Sequence, residues 1–371
     1  MKVVITGGSG FLAGHLIREL QETATDVVTE IHTLDRKSAP SNVFDLKNSQ
    51  IPLQHHCCDL NEREKVDEVL RKAEVVFHLA RRQFQFINSN VDNERYTNDN
   101  LKGTVESLID SMLTSNVQNL VFVGDAYSNV PSHDNFGNSE EIHNDVPGSY
   151  MLGHYGETRT LGELFARQKV GQQLANGKPF QATFLRPTMI YGEGETKVPS
   201  VLKKVATANG GSLSYIQGLS NGLLQFMYAG SLAALMVENM RLLVRMPEKC
   251  SGEFLYCMDH TECTHFYEFA GPILECFGLR LDKPTPLILS YGRTLWHEWF
   301  RNPNSPQFSL SAFRLLFLYA VGFSNRKQQL IFEFRPTVPA KELKKRTLNW
   351  IAENLGDGRK STRSSSVLRT G

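Results

Sequence analysis

A cluster of small residues directly after a short apolar run constrains this chain more than any other feature. The run Lys2–Thr6 is typical of a β-strand, and residues 7 to 13 read GGSGFLA. A strand that turns into a helix through such a loop begins a dinucleotide-binding βαβ unit. Gly7 would make the tight turn, Gly10 would let the backbone approach a pyrophosphate, and Ala13 would allow close packing of helix on strand. The first helical amides, at Phe11 and Leu12, would then face the phosphates at the positive end of the helix dipole.

An acidic residue at the end of the second predicted strand narrows the choice of cofactor. Asp35 ends the run EIHTLD, about 20 residues beyond the glycine loop. A carboxylate at this point accepts a hydrogen bond from a ribose 2′-hydroxyl and repels a 2′-phosphate. The pattern therefore favours NAD, while the adjacent Arg36 leaves NADP open.

Strand-like and helix-like segments alternate through the first half of the chain. This alternation predicts an α/β fold with a Rossmann-type, doubly wound parallel sheet. The predicted strands are Lys2–Thr6, Thr29–Leu34, Leu53–Cys58, Val75–Leu79, Asn119–Val123 and Gln181–Leu185, and the helices are Phe11–Gln21, Glu62–Lys72, Asn100–Ser115 and Tyr155–Leu174.

The pattern changes after Pro187, where Pro, Gly and aromatic residues become frequent. We expect residues 1–187 to form the NAD-binding domain, including the catalytic helix, and residues 188–355 to form mainly a smaller substrate-binding lobe. The Ser- and Arg-rich tail 356–371 is expected to be disordered.

Composition excludes several classes of function. A net charge of +1 gives no electrostatic reason to expect nucleic acid. Six scattered cysteines do not make a disulfide framework and indicate reduced thiols. No stretch reaches the roughly 20 apolar residues of a spanning helix. Phe308–Phe323 comes closest, and we expect it to be buried or dimer-facing, with attachment to a membrane surface as the alternative.

Two clusters of histidine and cysteine resemble metal sites, but neither predicts one. Strand alternation sends neighbouring residues of His55–Cys58 to opposite faces. The cluster Cys257–His265 matches no common zinc spacing. The aromatic stretch Tyr291–Phe300 is expected to form core or a pocket wall, because its charged residues argue against membrane insertion.

Several motifs occur in the order and spacing of the extended short-chain dehydrogenases. They are TGGSGFLAGH, LDR, CCDL, VVFHLA, NLKGT and LRPTMIYGEGE. With FMYAGSLAALM and GLRLDKP, the last of these resembles the 3β-hydroxysteroid dehydrogenase/Δ5-4 isomerase family. The resemblance runs from Met1 to about Leu355.

The resemblance implies roles for individual residues. Asp59 would lie near the adenine, and His78 and Ala80 would line the nicotinamide side. Asn100 would hold the central helix and an ordered water near the active site. Tyr155 would exchange the proton at the reacting oxygen.

The catalytic helix of the family carries Tyr-x-x-x-Lys, and this chain has Tyr155 followed by Arg159. Residues four apart share a helix face, so the cation would favour the phenolate. It would lower the pKa of the phenol from about 10 toward working pH, as general acid–base catalysis requires. Arg keeps the charge of Lys, but its guanidinium is larger and planar.

A second departure follows the fifth predicted strand, where the family places a serine that polarises the substrate oxygen. Asp125 or Gly124 occupies that place here, and an ionised Asp would oppose a developing oxyanion. Ser128 or Tyr127 would be the substitute donor, although neither is in register. These changes leave open a weak or altered enzyme.

The leading hypothesis is an NAD-dependent oxidation of a 3β-hydroxysteroid or sterol to the ketone, with Δ5-4 isomerisation as a further step. The alternatives are a sterol-decarboxylating or nucleotide-sugar short-chain dehydrogenase, and a cofactor-binding regulatory protein without catalysis. The expected location is the cytoplasm or the surface of the endoplasmic reticulum membrane. A homodimer stays open.

Overall fold

The computed structural model describes residues 1–38, 49–87, 93–141, 146–214, 216–217, 222–300 and 306–356. Apart from Gly356, the tail expected to be disordered lies outside the described residues. The strands are β1 (Lys2–Thr6), β2 (Glu30–Asp35), β3 (Leu53–Cys57), β4 (Val75–His78), β5 (Asn119–Val123), β6 (Asn135–Asn138), β7 (Gln181–Pro187), β8 (Met189–Tyr191), β9 (Ser212–Leu213), β10 (Ile216–Gln217), β11 (Leu223–Leu224), β12 (Phe226–Tyr228), β13 (Phe254–Cys257), β14 (Thr264–His265), β15 (Arg280–Leu281), β16 (Thr285–Pro286) and β17 (Val321–Phe323).

The helices follow the predicted alternation in the first half and dominate the second half. They are α1 (Phe11–Thr23), α2 (Arg63–Leu70), α3 (Asn93–Thr97), α4 (Ser107–Thr114), α5 (Gly153–Gln168), α6 (Lys197–Ala208), α7 (Ala229–Arg245), α8 (Phe266–Glu275), α9 (Leu287–Phe300), α10 (Leu310–Phe313), α11 (Arg326–Phe332) and α12 (Ala340–Asn354). Two π-helical turns, Asn98–Glu106 and Arg314–Leu318, and a 3₁₀ turn, Pro247–Lys249, complete them.

Seven parallel strands form the central sheet, in the order β13-β7-β5-β4-β1-β2-β3. The chain runs outward from β1 to β3 and then crosses back to β4 on the other side of β1. This reversal opens a crevice beyond the carboxyl ends of β1 and β4, where doubly wound sheets bind their ligands. The predicted Rossmann-type fold is confirmed.

Strands β1, β4 and β5 are buried on both faces, and alternate residues supply two separate cores. Val4, Val76 and Leu120 belong to the larger core, while Val3 and Phe77 belong to the other. Helices α1 and α7 pack against each other over the second core. The sheet is therefore rigid at the edge that carries the crevice.

The chain after residue 187 does not stay in a separate lobe. Strand β13 pairs with β7 and completes the central sheet, and α7 covers that sheet beside α1. Two elements from beyond the expected boundary at residue 187 therefore belong to the first domain. Strand β13 extends the sheet at β7, and helix α7 covers one face of the sheet. Short strand pairs and helices α6, α8 and α9 form the added lobe.

Two aromatic segments of the lobe differ in exposure. Between Phe308 and Phe323 the chain forms α10, a π-helical turn and β17, and its apolar side chains are buried, as expected. The stretch Tyr291–Phe300 was expected to be core or pocket wall; Tyr291 does pack against the core, but the expectation is wrong for the exposed aromatic residues at its C-terminal end. It belongs to α9, where Thr294 is the buried residue and Trp296, Trp299 and Phe300 are exposed. Among the described residues, no helix combines the length and apolarity needed to cross a bilayer.

A buried ion pair ties α5 to the sheet. The Arg186 guanidinium, on β7, donates to both carboxylate oxygens of Glu163 on α5, at 2.7–3.1 Å. Its Cζ also lies 4.1 Å from the centre of the Phe254 ring on β13. Both charged groups are almost fully shielded from solvent. A buried pair of this kind constrains the elements that carry it, and removing one partner strands the other charge.

We predict that Glu163→Ala lowers the free energy of unfolding by about 3–5 kcal/mol, because Arg186 is left buried without its partner. Urea denaturation measures the change. The control is Glu342→Ala, which removes an exposed partner of Arg346 on α12 and should cost less than about 1 kcal/mol. Equal losses in the two variants would contradict the role given to the buried pair.

Candidate active site

The glycine loop has the conformation that a pyrophosphate site requires. Gly7 has φ of +71°, and a Cβ there would lie 2.8 Å from the Ala80 amide nitrogen. The amides of Gly7 and Gly8 donate to the Leu34 carbonyl, and that of Gly10 donates to Gly7. Helix α1 then begins at Phe11, with neither a side-chain cap nor an acidic residue in its first turn. Its first amides and positive dipole are therefore available to phosphate.

Asp35 lies beside this loop at the end of β2. Its carboxylate accepts hydrogen bonds from the amides of Ser9, at 3.0 Å, and Lys37, at 2.9 Å. These bonds fix the carboxylate next to the glycine turn, and each oxygen keeps a lone pair for a ribose hydroxyl. The position suits the adenosine ribose of NAD.

A cleft of about 680 Å³ runs along the carboxyl edge of the sheet from this loop to α5. Its walls include most of the residues predicted to bind cofactor or substrate. They are Gly7, Gly10, Phe11, Leu12, Asp35, Asp59, Ala80, Asp125 and Tyr155. Residues chosen from separate sequence motifs thus border one continuous cleft.

Tyr155 lies at the far end of the cleft and donates its hydroxyl proton to Asp125, at 2.8 Å. One guanidinium nitrogen of Arg81 lies 3.3 Å from the phenol oxygen and 3.4 Å from the Asp125 carboxylate. The tyrosine ring is held between Phe84 and Tyr96, whose ring centres are 5.4 and 5.5 Å away. The three polar groups thus converge on a phenol with a fixed orientation.

The electrostatics of this group differ from the sequence expectation. Burial raises the pKa of the Tyr155 phenol above its ordinary range, Arg81 opposes the increase most strongly, and Asp125 adds to it. Arg159 was expected to lower this pKa, and it contributes a smaller opposing effect than Arg81. The phenol therefore stays protonated at neutral pH and holds its proton toward a carboxylate.

Arg159 lies behind the site. Its side chain is buried, donates to the Val123 carbonyl at 2.7 Å, and approaches the Phe122 ring. Burial lowers the pKa of its guanidinium. Arg159 does not appear among the residues that line the described cleft. The longer Arg side chain reaches the end of β5, whereas the family's Lys would be expected at the cofactor.

Asn100 joins three elements around the site. Its side-chain oxygen accepts from the Arg82 amide at 2.8 Å, and its amide group donates to Thr158 on α5 at 3.3 Å. Asn100 lies in the π-helical turn Asn98–Glu106, which packs along α5. It links α5 to the segment after β4.

His78 takes a position different from the one that the resemblance implied. It is buried at the end of β4, with Nδ1 2.9 Å from the Thr6 hydroxyl, and it is not among the lining residues. Burial lowers the pKa of its imidazole to about 3. His78 therefore supports the strand ends as a neutral side chain, and Ala80 lines the cleft.

Neither hydroxyl considered as a substitute for the missing serine faces the reacting position. The Ser128 hydroxyl donates to the Asp125 carbonyl at 2.8 Å. The Tyr127 hydroxyl donates to the Gln225 carbonyl at 2.9 Å. Asp125 itself does not point a free charge at the cleft, because its carboxylate is engaged by Tyr155, Arg81 and the Tyr127 amide.

Five charged cleft residues were missed from the sequence: Lys37, Arg81, Arg82, Glu195 and Lys197. The pair Arg81-Arg82 directly follows VVFHLA at the carboxyl end of β4, and this position was the available signal. Lys197 donates to the Phe84 carbonyl, and burial lowers the pKa of its amine to about 8. Glu195 accepts from the amides of Lys197 and Val198.

Apolar side chains surround the Tyr155 end of the cleft: Phe84, Phe86, Leu152, Met189, Val198 and Leu315. In the part of the chain that the structure describes, no three potential ligands are grouped for a metal. His55 contacts Thr33 and His56 contacts His32, on opposite faces of β3, as strand alternation predicts. The described cleft thus has charged residues along much of its length and a group of apolar side chains around Tyr155.

A profile of the 3-beta hydroxysteroid dehydrogenase/isomerase family matches residues 4–289. The chain is 25% identical to the sterol-4-alpha-carboxylate 3-dehydrogenase ERG26, decarboxylating, of Saccharomyces cerevisiae, covering 95% of this chain and 98% of the relative. It is 24% identical to the 3 beta-hydroxysteroid dehydrogenase type 7 of Mus musculus, covering 96% and 97%.

Solved structures share the fold at lower identity. MoeE5 in complex with UDP-glucose and NAD superposes with a TM-score of 0.68 at 16% identity, over 96% of this chain and all of that one. The dTDP-glucose 4,6-dehydratase DesIV of Streptomyces venezuelae, with NAD and DAU bound, gives 0.67 at 17% identity, over 95% and 98%. These likenesses show the extended Rossmann-type architecture.

We predict that Gly10→Val abolishes NAD binding while the protein stays folded. Gly10 has φ of −80° and ψ of 159°, which valine adopts, but its side chain would fill the space over the glycine turn. Titration of intrinsic fluorescence with NAD measures affinity, and circular dichroism checks the fold. Wild-type affinity in a folded variant would refute the assignment of this loop.

Proposed function

The chain belongs to the 3-beta hydroxysteroid dehydrogenase/isomerase family, and from this premise we propose that it oxidises the 3β-hydroxyl of a steroid or sterol to a ketone. The glycine loop and Asp35 would hold NAD, which would supply the hydride acceptor. One observation carries the proposal: a buried phenol, hydrogen-bonded to a carboxylate, closes the end of a dinucleotide cleft.

The polar cluster can accept the substrate proton in two linked transfers. The phenol oxygen of Tyr155 donates its own proton to Asp125, and it retains a lone pair that can accept from a substrate hydroxyl. As the substrate carbon loses hydride, the substrate proton passes to Tyr155 and the phenol proton passes to the Asp125 carboxylate. The C–H electron pair leaves with the hydride, and the O–H pair completes the carbonyl.

This arrangement gives Asp125 the opposite role to the one expected of the missing serine. It does not polarise the substrate oxygen but receives a proton through Tyr155. Arg81 contacts both members and stabilises negative charge on either one during the transfer. The direction suits oxidation, which needs a base at the hydroxyl.

The cleft walls favour a sterol over a nucleotide sugar. A second diphosphate would need free cations, whereas the basic side chains here are engaged. Arg81 pairs with Asp125, Arg82 pairs with Asp99, and Lys197 donates to a carbonyl. The apolar side chains around Tyr155 suit a ring system instead. Decarboxylation or Δ5-4 isomerisation would be a further step on the same ketone.

Helix α9 turns its apolar face to solvent, and this supports association of the protein with a membrane surface. On α9, the exposed Ile288, Leu289, Trp296, Trp299 and Phe300 fall within an arc of about 120° at 100° per residue. Ile288 is 84% and Trp299 is 81% exposed.

The opposite side of α9 packs inward. It carries the buried Thr294 and the Tyr291 ring, whose centre is 5.9 Å from that of Phe313. A surface helix normally shows the reverse pattern, and an outward apolar face with two tryptophans fits a lipid interface. We propose that this face docks on a bilayer from which the sterol is drawn.

We predict that Tyr155→Phe lowers turnover by about 10²–10⁴-fold and leaves NAD affinity within about twofold, because it removes the hydroxyl that relays the proton and keeps the ring. NADH formation is measured with a panel of 3β-hydroxysteroids. Asp125→Asn should also lower turnover, because the amide cannot take up the phenol proton. Tyr150→Phe, a hydroxyl lost outside the cleft lining, is the control. A native protein that binds NAD but turns over no member of a broad panel would favour the regulatory alternative.

We predict that neutral phosphatidylcholine vesicles shift the tryptophan emission of the wild-type protein to the blue, since two of its three tryptophans lie on the exposed face of α9. The double change Ile288→Ser and Leu289→Ser should weaken co-sedimentation with vesicles about tenfold or more. Leu330→Ser, an exposed leucine of α11, is the control. A wild-type dimer in light scattering, with no vesicle binding, would assign the face to a second copy of the chain.

A further inference from the structure

Arg36 is the residue because of which the sequence left NADP open as a cofactor. In the structure its guanidinium is held by the carboxylate of Asp99, which is not one of the predicted cofactor-binding residues. Arg36 directly follows Asp35, so its side chain begins beside the position of a ribose 2′-group. Its two terminal nitrogens donate to the two oxygens of Asp99, each at 3.1 Å. This is the fork-to-fork geometry in which Arg binds a carboxylate or phosphate, so the donors that Arg36 would offer to a phosphate are already occupied.

The surroundings of Asp99 hold its carboxylate in position as the partner of Arg36. It lies in the π-helical turn Asn98–Glu106, next to Asn100, which is hydrogen-bonded to the segment after β4. Arg82 from that segment donates to the same carboxylate at 3.3 Å. Asp99 is largely shielded from solvent, whereas more than half of the Arg36 side chain is exposed. The aspartate is therefore the fixed partner and the arginine is the mobile one.

Other negative charges around Arg36 also disfavour a 2′-phosphate. A carboxylate oxygen of Asp59 lies 3.7 Å from Arg36, and Asp35 lies one residue away along the chain. With Asp99, three carboxylates lie around the Arg36 guanidinium. Their negative charge disfavours a further phosphate dianion and tolerates the neutral ribose of NAD.

We propose that Asp99 is a specificity-determining residue, which excludes NADP by sequestering the Arg36 guanidinium from the 2′-phosphate. Asp35 selects for the ribose hydroxyl directly, and Asp99 removes the neighbouring cation that would offset that selection. The role concerns cofactor binding and holds whichever alcohol the protein oxidises.

The test compares NAD and NADP dissociation constants of the full chain by fluorescence titration, without turnover. Asp99→Asn keeps the shape of the side chain and removes its charge. It should tighten NADP binding about tenfold relative to NAD, the effect of one charged hydrogen bond, and change NAD affinity less than about threefold. The gain should shrink at high salt, because it rests on an exposed cation.

A double-mutant cycle identifies the route of the effect. In an Arg36→Gln background, Asp99→Asn should change the NADP-to-NAD ratio by less than about twofold, because no guanidinium is left to release. A tenfold gain in that background would overturn the proposal and assign the effect to the general field of Asp99. No gain with Arg36 present, or weaker NADP binding, would show that Asp99 orients Arg36 for phosphate.

Loss of the fold is checked by circular dichroism and thermal unfolding, because Asp99 is next to Asn100. If Asp99→Asn unfolds, Asp99→Ser removes the charge with a smaller side chain and is scored by the same ratios. Asp67→Asn, which removes a helix-surface partner of Arg63 on α2, is the control and should leave both affinities unchanged. An equal shift in this control would also contradict the proposal.

Discussion

The close approach of the glycine turn to the end of β4 sets the geometry of everything along this edge of the sheet. Gly7 has a left-handed backbone, and even a Cβ would come within 2.8 Å of the Ala80 amide. The contact brings the start of α1 against the segment that carries Arg81 and Arg82. The phosphate loop, the ribose carboxylate and the polar cluster at Tyr155 consequently border a single cleft. A larger residue at position 7 would push the glycine turn away from this segment and so away from the Tyr155 end of the cleft.

Paired charges recur along that edge. Asp99 holds Arg36 and Arg82, Asp125 holds Arg81, and Glu163 holds Arg186 beneath them. Pairing leaves the substrate end of the cleft with few uncompensated charges, which suits an uncharged ring system. In a chain without the usual lysine and serine, Arg81 and Asp125 bring a cation and a carboxylate to the phenol from other elements.

The features predicted from the sequence were those encoded by neighbouring residues. The glycine loop, the acid ending β2 and the strand–helix alternation each depend on a few positions, and the structure brings them to one cleft. Long-range placement was not predictable in this way. Arg159 lies four residues from Tyr155, yet its length sends it to the Val123 carbonyl, and Arg81 approaches the phenol from 74 residues away along the chain. The outward apolar face of α9 was not predicted either, because a hydrophobic pattern does not say which side of a helix packs against the protein.

We propose that hydride passes from carbon 3 of a 3β-hydroxysteroid to NAD while Tyr155 and Asp125 take up the hydroxyl proton. The most direct test supplies substrates carrying deuterium on that carbon and follows the label by mass spectrometry. We expect deuterium to appear in the NADH, in an amount equal to that of the 3-ketone formed. Saturated NAD binding with no deuterium transferred from any member of a broad 3β-hydroxysteroid panel would contradict it.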